Sequence, residues 1–274
     1  MKKWLKRISI GLIIGLGMLI AVFMIWAQFD YGPTNEAKQY TGESVGQGYQ
    51  FGDPESETGF IFYQGAKVDP AAYSYIGHQL AETGYFVAIP KLPFNIALLD
   101  SKAGLSIIED HPKIKRWYLM GHSLGGSAAS TILEDSPKIN GMIFLASYPI
   151  DAIDTPSLTV YGGRDGVLPV KDIEASKEDV RSDATFHLIK DGNHANFGMY
   201  GKQKGDNTRP LTAKEQQDET LSQSPRYFVK RRQGDHRSFD GCSKTTRNRS
   251  KTTDVLQFIF TPIKRKRPDG TLMQ

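Results

Sequence analysis

Cysteine is nearly absent from this chain of 274 residues, in which Cys242 stands alone. A single thiol excludes an intrachain disulfide and excludes a metal site built from several cysteines. The scarcity of cysteine does not fix the compartment, because exported proteins can lack disulfides, so targeting signals must decide it. The apolar share of 39% and the aromatic share of 11% are sufficient for a substantial core in one or two domains.

Acidic residues are absent from residues 1–27, and residues 8–27 carry no charge at all. Four basic residues precede this run, which is long enough to cross about 30 Å of hydrocarbon as a helix. A cleaved signal peptide has a shorter apolar centre of about 7–15 residues, and residues 25–27 (Ile-Trp-Ala) form a poor cleavage site. The basic flank predicts a cytoplasmic N-terminus and an exported remainder. We therefore expect an uncleaved signal anchor in the cell membrane at residues 1–27, with secretion after signal cleavage as the alternative.

The middle of the chain has no excess of basic residues. Residues 28–220 contain 17 basic and 26 acidic residues and carry a net charge of −9, whereas residues 221–274 carry +9. Because the basic excess lies at the two ends, we expect no nucleic-acid binding by the segment between them. Residues 28–58 are rich in Gly, Glu, Gln, Ser and Thr and are interpreted as a linker and domain entry, with an edge strand near residues 44–51 as one reading.

From residue 59 onward, short apolar runs alternate regularly with helix-like segments. Such strand–helix–strand units predict parallel strands joined by right-handed crossovers. The pattern predicts an α/β domain at residues 59–220, with a doubly wound, mostly parallel sheet and helices on both faces. Six strands are expected, at residues 59–64, 84–90, 116–120, 141–146, 157–161 and 184–189, with helices within 71–83, 94–109, 127–133 and 171–180.

A serine lies between the third predicted strand and the following helix, in the sequence Gly-His-Ser-Leu-Gly at residues 121–125. A serine in so sharp a turn is held in a strained backbone conformation with its hydroxyl exposed at the end of the sheet. Side chains in place of Gly121 and Gly125 would strike the strand or the helix. The amide N–H of Leu124, at a helix N-terminus, would point toward an oxyanion forming near Ser123. The motif is short enough to arise by chance, so its partners decide its meaning.

Serine is a weak nucleophile until a base takes its proton, and the base needs an acid to hold its tautomer. Asp165 follows the fifth predicted strand and so lies at the same end of the sheet as Ser123. Asp151 and Asp154 follow the preceding strand and compete with it for this role. His194 directly follows the last predicted strand and is the candidate base. The histidine of the motif itself is too close to the serine along the chain to serve.

The chain order Ser123, Asp165, His194 is that of the α/β-hydrolase superfamily, which this chain resembles from about residue 59 to residue 220. It is most similar to small, dienelactone-hydrolase-like and carboxylesterase-like members. The resemblance implies a second oxyanion donor after the first central strand, which maps to the backbone N–H of Ala66. That loop begins with Gln-Gly here, where the family usually has His-Gly.

Only about ten residues separate the fourth and fifth predicted strands, where many members of the superfamily carry a cap domain. We therefore expect no large lid over the site. The site would be open and walled by the aromatic residues Phe94, Tyr148 and Phe197.

Together these features predict a membrane-anchored serine hydrolase that cleaves an ester-like bond through a Ser–His–Asp triad and an acyl-enzyme. We expect a small ester-like substrate, contact with the membrane through residues 8–27, a monomer, and no metal or cofactor. The catalytic domain would lie outside the cytoplasm. An acyltransferase or an amidase would use the same triad. A different class of function is a catalytically inactive or truncated hydrolase-fold protein that acts as a binding module.

The end of the chain does not fit the pattern of an α/β domain. A capping box at residues 212–215 predicts a last helix, but the residues after it supply no apolar face, and Pro225 is expected to end it. Residues 221–274 form a basic, atypical tail. Two explanations are open: a tail that binds an anionic surface, or a frameshift near Thr220, which we favour. The frameshift would leave the fold without its closing helix.

Overall fold

The computed structural model describes residues 2–27, 29–46, 48–208 and 210–234. These residues build one sheet with helices packed on both of its faces. The strands are β1 (Glu43–Val45), β2 (Gly48–Phe51), β3 (Thr58–Tyr63), β4 (Phe86–Pro90), β5 (Arg116–His122), β6 (Ile139–Leu145), β7 (Ser157–Gly162) and β8 (Thr185–Ile189). The helices are α1 (Lys2–Ala27), α2 (Ser74–Glu82), α3 (Ala103–Asp110), α4 (Leu124–Ser130), α5 (Val170–Ala175) and α6 (Ala213–Gly234).

The strands lie in the order β1-β2-β4-β3-β5-β6-β7-β8. Strands β3 to β8 are the six predicted ones, and they pair in parallel, which confirms the mostly parallel α/β sheet. The edge strand expected near residues 44–51 is a hairpin of two strands, β1 and β2, and β2 joins β4 in the antiparallel direction. The hairpin itself was not predicted, because its strands have only 3 and 4 residues, too few for two separate alternating patterns.

Alternate residues of the central strands divide the core into two layers. Phe60 and Phe62 of β3 belong to the layer that also contains residues of α2, α5 and α6. Ile61 and Tyr63 belong to the opposite layer, with residues of α3 and α4. Every residue of β3 is buried. Strands covered on both faces are apolar throughout, which is why the sequence shows continuous apolar runs instead of alternation.

Helix α6 begins where the capping box predicts. The Glu215 carboxylate accepts hydrogen bonds from the backbone N–H and the hydroxyl of Thr212, whose Oγ1 accepts from the Glu215 N–H. The predicted end at Pro225 is wrong, since α6 continues to Gly234. Proline removes one hydrogen bond and can kink a helix without ending it. The frameshift near Thr220 stays a hypothesis, and residues 235–274 of the basic tail lie outside the described part.

Helix α1 contains a segment from Arg7 to Trp26 that is long and apolar enough to cross a membrane, with a mean hydropathy of 2.7. Its large apolar side chains are exposed as far as Ile25. The chain after α1 packs onto the domain. Ala37 is fully buried, and the ring of Tyr40 meets that of Tyr75 edge-on at 4.8 Å between centroids.

Candidate active site

Ser123 lies between the last residue of β5 and the first residue of α4, with φ 51° and ψ −128°. A non-glycine residue adopts this conformation only under strain. A Cβ at Gly121 would lie 2.4 Å from the Cα of Gly126, and one at Gly125 would lie 2.3 Å from the carbonyl oxygen of Gln64. Both distances are far below van der Waals contact. Glycine at these two positions is therefore what lets α4 approach β5 and β3 so closely.

Asp165 and His194 follow the neighbouring parallel strands β7 and β8, and the structure brings them together. The Nδ1 atom of His194 lies 2.8 Å from Oδ2 of Asp165, and the two side chains are 1% and 2% exposed. The other carboxylate oxygen accepts the backbone N–H groups of Val167 and Leu168 at 2.8 and 2.6 Å. The carboxylate is thus fixed where it can orient the imidazole. The competing residues Asp151 and Asp154 are exposed.

The remaining ring nitrogen of His194, Nε2, is buried and has no hydrogen-bond partner within the described part of the chain. Because Asp165 accepts the proton on Nδ1, Nε2 is the unprotonated acceptor in the neutral ring. Leaving a buried polar atom unpaired costs roughly 1–3 kcal/mol. Such unpaired groups call for a functional explanation, and a histidine nitrogen held ready to accept a proton provides one.

A small cleft opens at Ser123. Tyr148 lines it, as the sequence predicts. Phe197 does not wall the site: it is fully buried, with its ring centroid 5.8 Å from that of His122, because the chain turns inward after His194. No helix of the described residues lies between β6 and β7, so no cap of that origin covers the cleft. The cleft is lined by Ser123, Leu124, Ser127, Ala146, Ser147, Tyr148 and Leu168.

The two predicted oxyanion residues, Leu124 and Ala66, pack in one small apolar cluster. The loop that carries Ala66 is held by Tyr73, whose hydroxyl accepts the N–H of Gly65 at 3.0 Å. The same hydroxyl lies 2.8 Å from Nδ1 of His122 and donates its proton to it. This buried chain of hydrogen bonds links His122, the neighbour of Ser123, to Gly65, the neighbour of Ala66.

Burial determines the protonation of this pair. It raises the pKa of the Tyr73 hydroxyl well above its usual range, so the phenol stays protonated. Burial lowers the pKa of His122 well below its usual value, and the neighbouring His194 adds to this shift. A neutral His122 accepts at Nδ1, as the contact with Tyr73 requires. Sequence reasoning gave neither residue a role, because only the folded chain brings them together.

Asp206 is a second residue that sequence reasoning missed. Its Oδ1 accepts the N–H groups of Gly166 at 3.0 Å and His194 at 3.3 Å, and its Oδ2 accepts that of Ala195 at 2.8 Å. One carboxylate therefore ties the loop of Asp165 to the loop of His194. In the sequence it reads as an ordinary turn residue beside glycine and asparagine, so no signal distinguishes it.

The buried face of α6 is polar because it packs against the backbone of the loop that contains His194. Gln216 forms a reciprocal pair with Asn193: its Oε1 accepts the Asn193 N–H at 3.0 Å and its Nε2 donates to the Asn193 carbonyl at 2.8 Å. The next residue, Gln217, donates to the Asn196 carbonyl at 3.2 Å. Both glutamines are fully buried. The sequence shows no apolar face for this helix because its buried side chains form amide hydrogen bonds to the loop that contains His194.

Among the described residues, no group of three or more His, Cys, Asp or Glu side chains is arranged to hold a metal ion. The groups that the structure brings together at Ser123 and His194 are a hydroxyl, an imidazole, a carboxylate and backbone N–H groups. These are the parts of nucleophilic acyl transfer.

The model of the alpha/beta hydrolase family matches residues 59–218, more than half of the chain. The chain belongs to this family, which confirms the resemblance drawn from the serine motif. An alpha/beta hydrolase enzyme from the sediment metagenome of the Mar Chica lagoon in Morocco is 18% identical, with a TM-score of 0.54 over 69% of this chain and 98% of the other.

A structure reported for LipS and LipT, two metagenome-derived lipolytic enzymes, is 13% identical. Its TM-score is 0.52 over 67% of this chain and 97% of the other. At such low identity these two structures show a shared fold. No curated protein sequence matches the chain.

Proposed function

We propose that this protein is a serine hydrolase that cleaves an ester-like bond with Ser123 as nucleophile, His194 as base and Asp165 as the orienting acid. The observation that carries the proposal is the buried 2.8 Å contact between Asp165 and Nδ1 of His194, whose Nε2 has no hydrogen-bond partner among the described residues. Membership of the alpha/beta hydrolase family supports the same reading.

In the first step, Oγ of Ser123 attacks the carbonyl carbon of the ester while Nε2 of His194 accepts the hydroxyl proton. The negative charge that develops on the carbonyl oxygen would be bound by the N–H groups of Leu124 and Ala66. The tetrahedral intermediate then collapses and breaks the bond to the alkoxy oxygen. The leaving alcohol takes the proton from His194, and an acyl-enzyme remains on Ser123.

Water completes the cycle by the same route in reverse. His194 accepts a proton from the water as its oxygen attacks the acyl carbon, and the oxyanion is held by the same two N–H groups. Collapse releases the carboxylic acid, and His194 returns the proton to Oγ of Ser123. Asp165 stays ionised throughout and stabilises the positive charge that His194 carries in between.

The setting of this chemistry is also part of the proposal. Helix α1 would remain as a single-pass anchor, with the basic residues at its N-terminal end in the cytoplasm and the hydrolase domain outside. The length and mean hydropathy of the Arg7–Trp26 segment support this arrangement.

Hydrolysis of p-nitrophenyl butyrate by the full chain in detergent tests the proposal. Ser123→Ala should lower kcat/KM at least about 1,000-fold, because the nucleophile is removed while the fold is kept. Ser136→Ala, a serine outside the cleft, is the matched control and should retain the wild-type rate. Undiminished hydrolysis by Ser123→Ala would exclude the proposed mechanism.

A further inference from the structure

The C-terminal end of α1 packs on the hydrolase domain. The ring of Phe23 contacts that of Phe94 edge-on, with 5.6 Å between centroids. The ammonium group of Lys67 lies 4.0 Å from the centroid of the Trp26 ring and donates a hydrogen bond to the Trp26 carbonyl. Burial lowers the pKa of Lys67, while Asp30 opposes this shift. The helix end is therefore held against the domain by an aromatic contact, a cation–π contact and a hydrogen bond. We call this set of contacts of Phe23 and Trp26 the seat of α1.

The residues that follow α1 are fastened to the same two loops of the domain. The N–H of Tyr31 donates to the Lys67 carbonyl at 2.7 Å, and the N–H of Asp69 donates to the Tyr31 carbonyl at 3.0 Å. The side chain of Asn95 donates to the Asp30 carboxylate at 2.9 Å. These bonds hold the domain in one orientation relative to the end of the helix.

This seat adjoins the proposed oxyanion site. Trp26 packs against the same apolar cluster as Ala66, and the centre of that cluster includes Leu124, the residue after the nucleophile. The end of α1 and the two loops that would supply the oxyanion N–H groups thus share one continuous patch. In a chain anchored by α1, that patch lies at the membrane surface.

The level of the patch relative to a bilayer follows from the helix. Tryptophan at the end of an apolar segment is typical of the membrane–water interface, and Phe23 lies about 4.5 Å deeper along the axis at 1.5 Å per residue. Phe94 contacts Phe23 and is 39% exposed. The Phe94 ring therefore falls at the level of the lipid headgroups and of the first acyl carbons. Exposed aromatic side chains at that depth gain free energy by leaving water.

We propose that the site acts on esters of membrane amphiphiles, taking the ester group from the bilayer surface while the acyl chain stays in lipid. This inference rests on the proposed serine hydrolase and on its anchor. Two observations favour such substrates over freely soluble esters. The domain is oriented by its seat on α1, and the cleft at Ser123 is small and has no cap between β6 and β7. A long acyl chain held in the bilayer needs no pocket in the protein.

The test compares two ester substrates with the full chain reconstituted in vesicles of ether-linked phosphatidylcholine, which offers no carboxylic ester of its own. A fluorogenic diacylglycerol analogue reports hydrolysis in the bilayer, and p-nitrophenyl butyrate reports hydrolysis in water. The decisive variant combines a flexible insertion of twenty Gly and Ser residues after Ala27 with Phe23→Ala and Trp26→Ala, which keeps the apolar anchor but removes the ring contacts that hold the helix end on the domain. Phe94→Ser removes the interfacial ring, and Leu188→Ser on β8, another exposed apolar residue, is the matched control.

The decisive variant is expected to lower the ratio of the bilayer rate to the aqueous rate at least tenfold, and Phe94→Ser should lower it in the same direction. Leu188→Ser should leave the ratio unchanged. An unchanged ratio in the decisive variant, or wild-type activity confined to the butyrate ester, would overturn this inference while the serine hydrolase stands. Absence of Ser123-dependent hydrolysis of either ester would overturn both.

Discussion

At the scale of single residues, the geometry of the proposed oxyanion site depends on a buried hydroxyl outside the triad. Tyr73 accepts the N–H of Gly65 and donates to His122, so it links the loop of Ala66 to the turn of the nucleophile. An oxyanion donor acts only when it is held in place before the reaction. Tyr73 is therefore a positioning residue.

Tyr73→Phe should lower kcat about 10- to 100-fold with little change in KM, because the Gly65 N–H loses its acceptor and the Ala66 N–H is no longer fixed. Tyr63→Phe is the matched control. The Tyr63 hydroxyl, also buried, donates to the Ser101 carbonyl at 2.7 Å and accepts the Gly104 N–H at 2.9 Å. Both variants should lose about 1–3 kcal/mol of unfolding free energy. Steady-state kinetics with a soluble ester would contradict the assignment if both variants lost activity equally.

The protonation of His122 predicts a pH dependence of stability. Burial lowers its pKa well below the usual histidine value of about 6.5, so the unfolded chain binds a proton that the folded chain does not. The stability from this group is fully present above pH 6.5 and is lost as the pH falls below it, by about 1.4 kcal/mol per pH unit. Urea unfolding of the full chain between pH 7.5 and 5.5 measures this slope. His122→Gln should have a smaller slope than wild type, and equal slopes would show that His122 does not titrate in this way.

At the scale of elements, α6 packs against the loop that contains His194 and holds its backbone by hydrogen bonds. Its first two turns present Gln216 and Gln217 to the backbone on either side of His194. Asp206 adds hydrogen bonds from the opposite side of the same loop. The position of the histidine is thus set by polar contacts to its backbone as well as by its hydrogen bond to Asp165.

Gln216→Ala should destabilise the protein by about 1–3 kcal/mol and lower kcat/KM, because both backbone groups of Asn193 are left unpaired next to His194. Ser222→Ala, at an exposed position on the same helix, should change stability by less than about 0.5 kcal/mol and leave the kinetics unaltered. Thermal unfolding and ester hydrolysis measure the two effects. Loss of stability without any loss of kcat/KM would mean that the hydrogen bonds between Gln216 and Asn193 do not position His194.

The elements that could be predicted from the sequence are those whose burial produces a recognisable pattern of apolar residues. Strands β3 to β8 are continuous apolar runs because both faces are covered, and Asp165 and His194 could be found because parallel strands end at one edge. The hairpin β1–β2 was expected only as a single edge strand, because its two strands are too short to show separate periods. Other side chains form hydrogen bonds to backbone groups that are distant along the chain, and such contacts leave no local pattern in the sequence. They are those of Tyr73, Asp206 and the two glutamines of α6.

At the scale of the whole molecule, the fold joins a hydrolase domain to a helix that is long and apolar enough to cross a membrane. The end of the helix packs against the loops that flank the proposed site. The contacts that would fix the domain at the membrane therefore lie beside the place where the substrate would enter. The four basic residues of α1 lie at its N-terminal end, within residues 2–7. By the positive-inside rule they favour the proposed orientation, in which this end stays in the cytoplasm.

Covalent labelling by a fluorophosphonate tests most directly whether Ser123 is an activated nucleophile. In that reaction Oγ of the serine forms a bond to phosphorus, fluoride leaves, and the base takes the hydroxyl proton. Mass spectrometry of the labelled full chain should place the adduct on the peptide that contains Ser123. His194→Gln, with no base to accept the proton, should label at least 100-fold more slowly. A folded wild-type protein that takes no label, or takes it on another residue, would contradict the account.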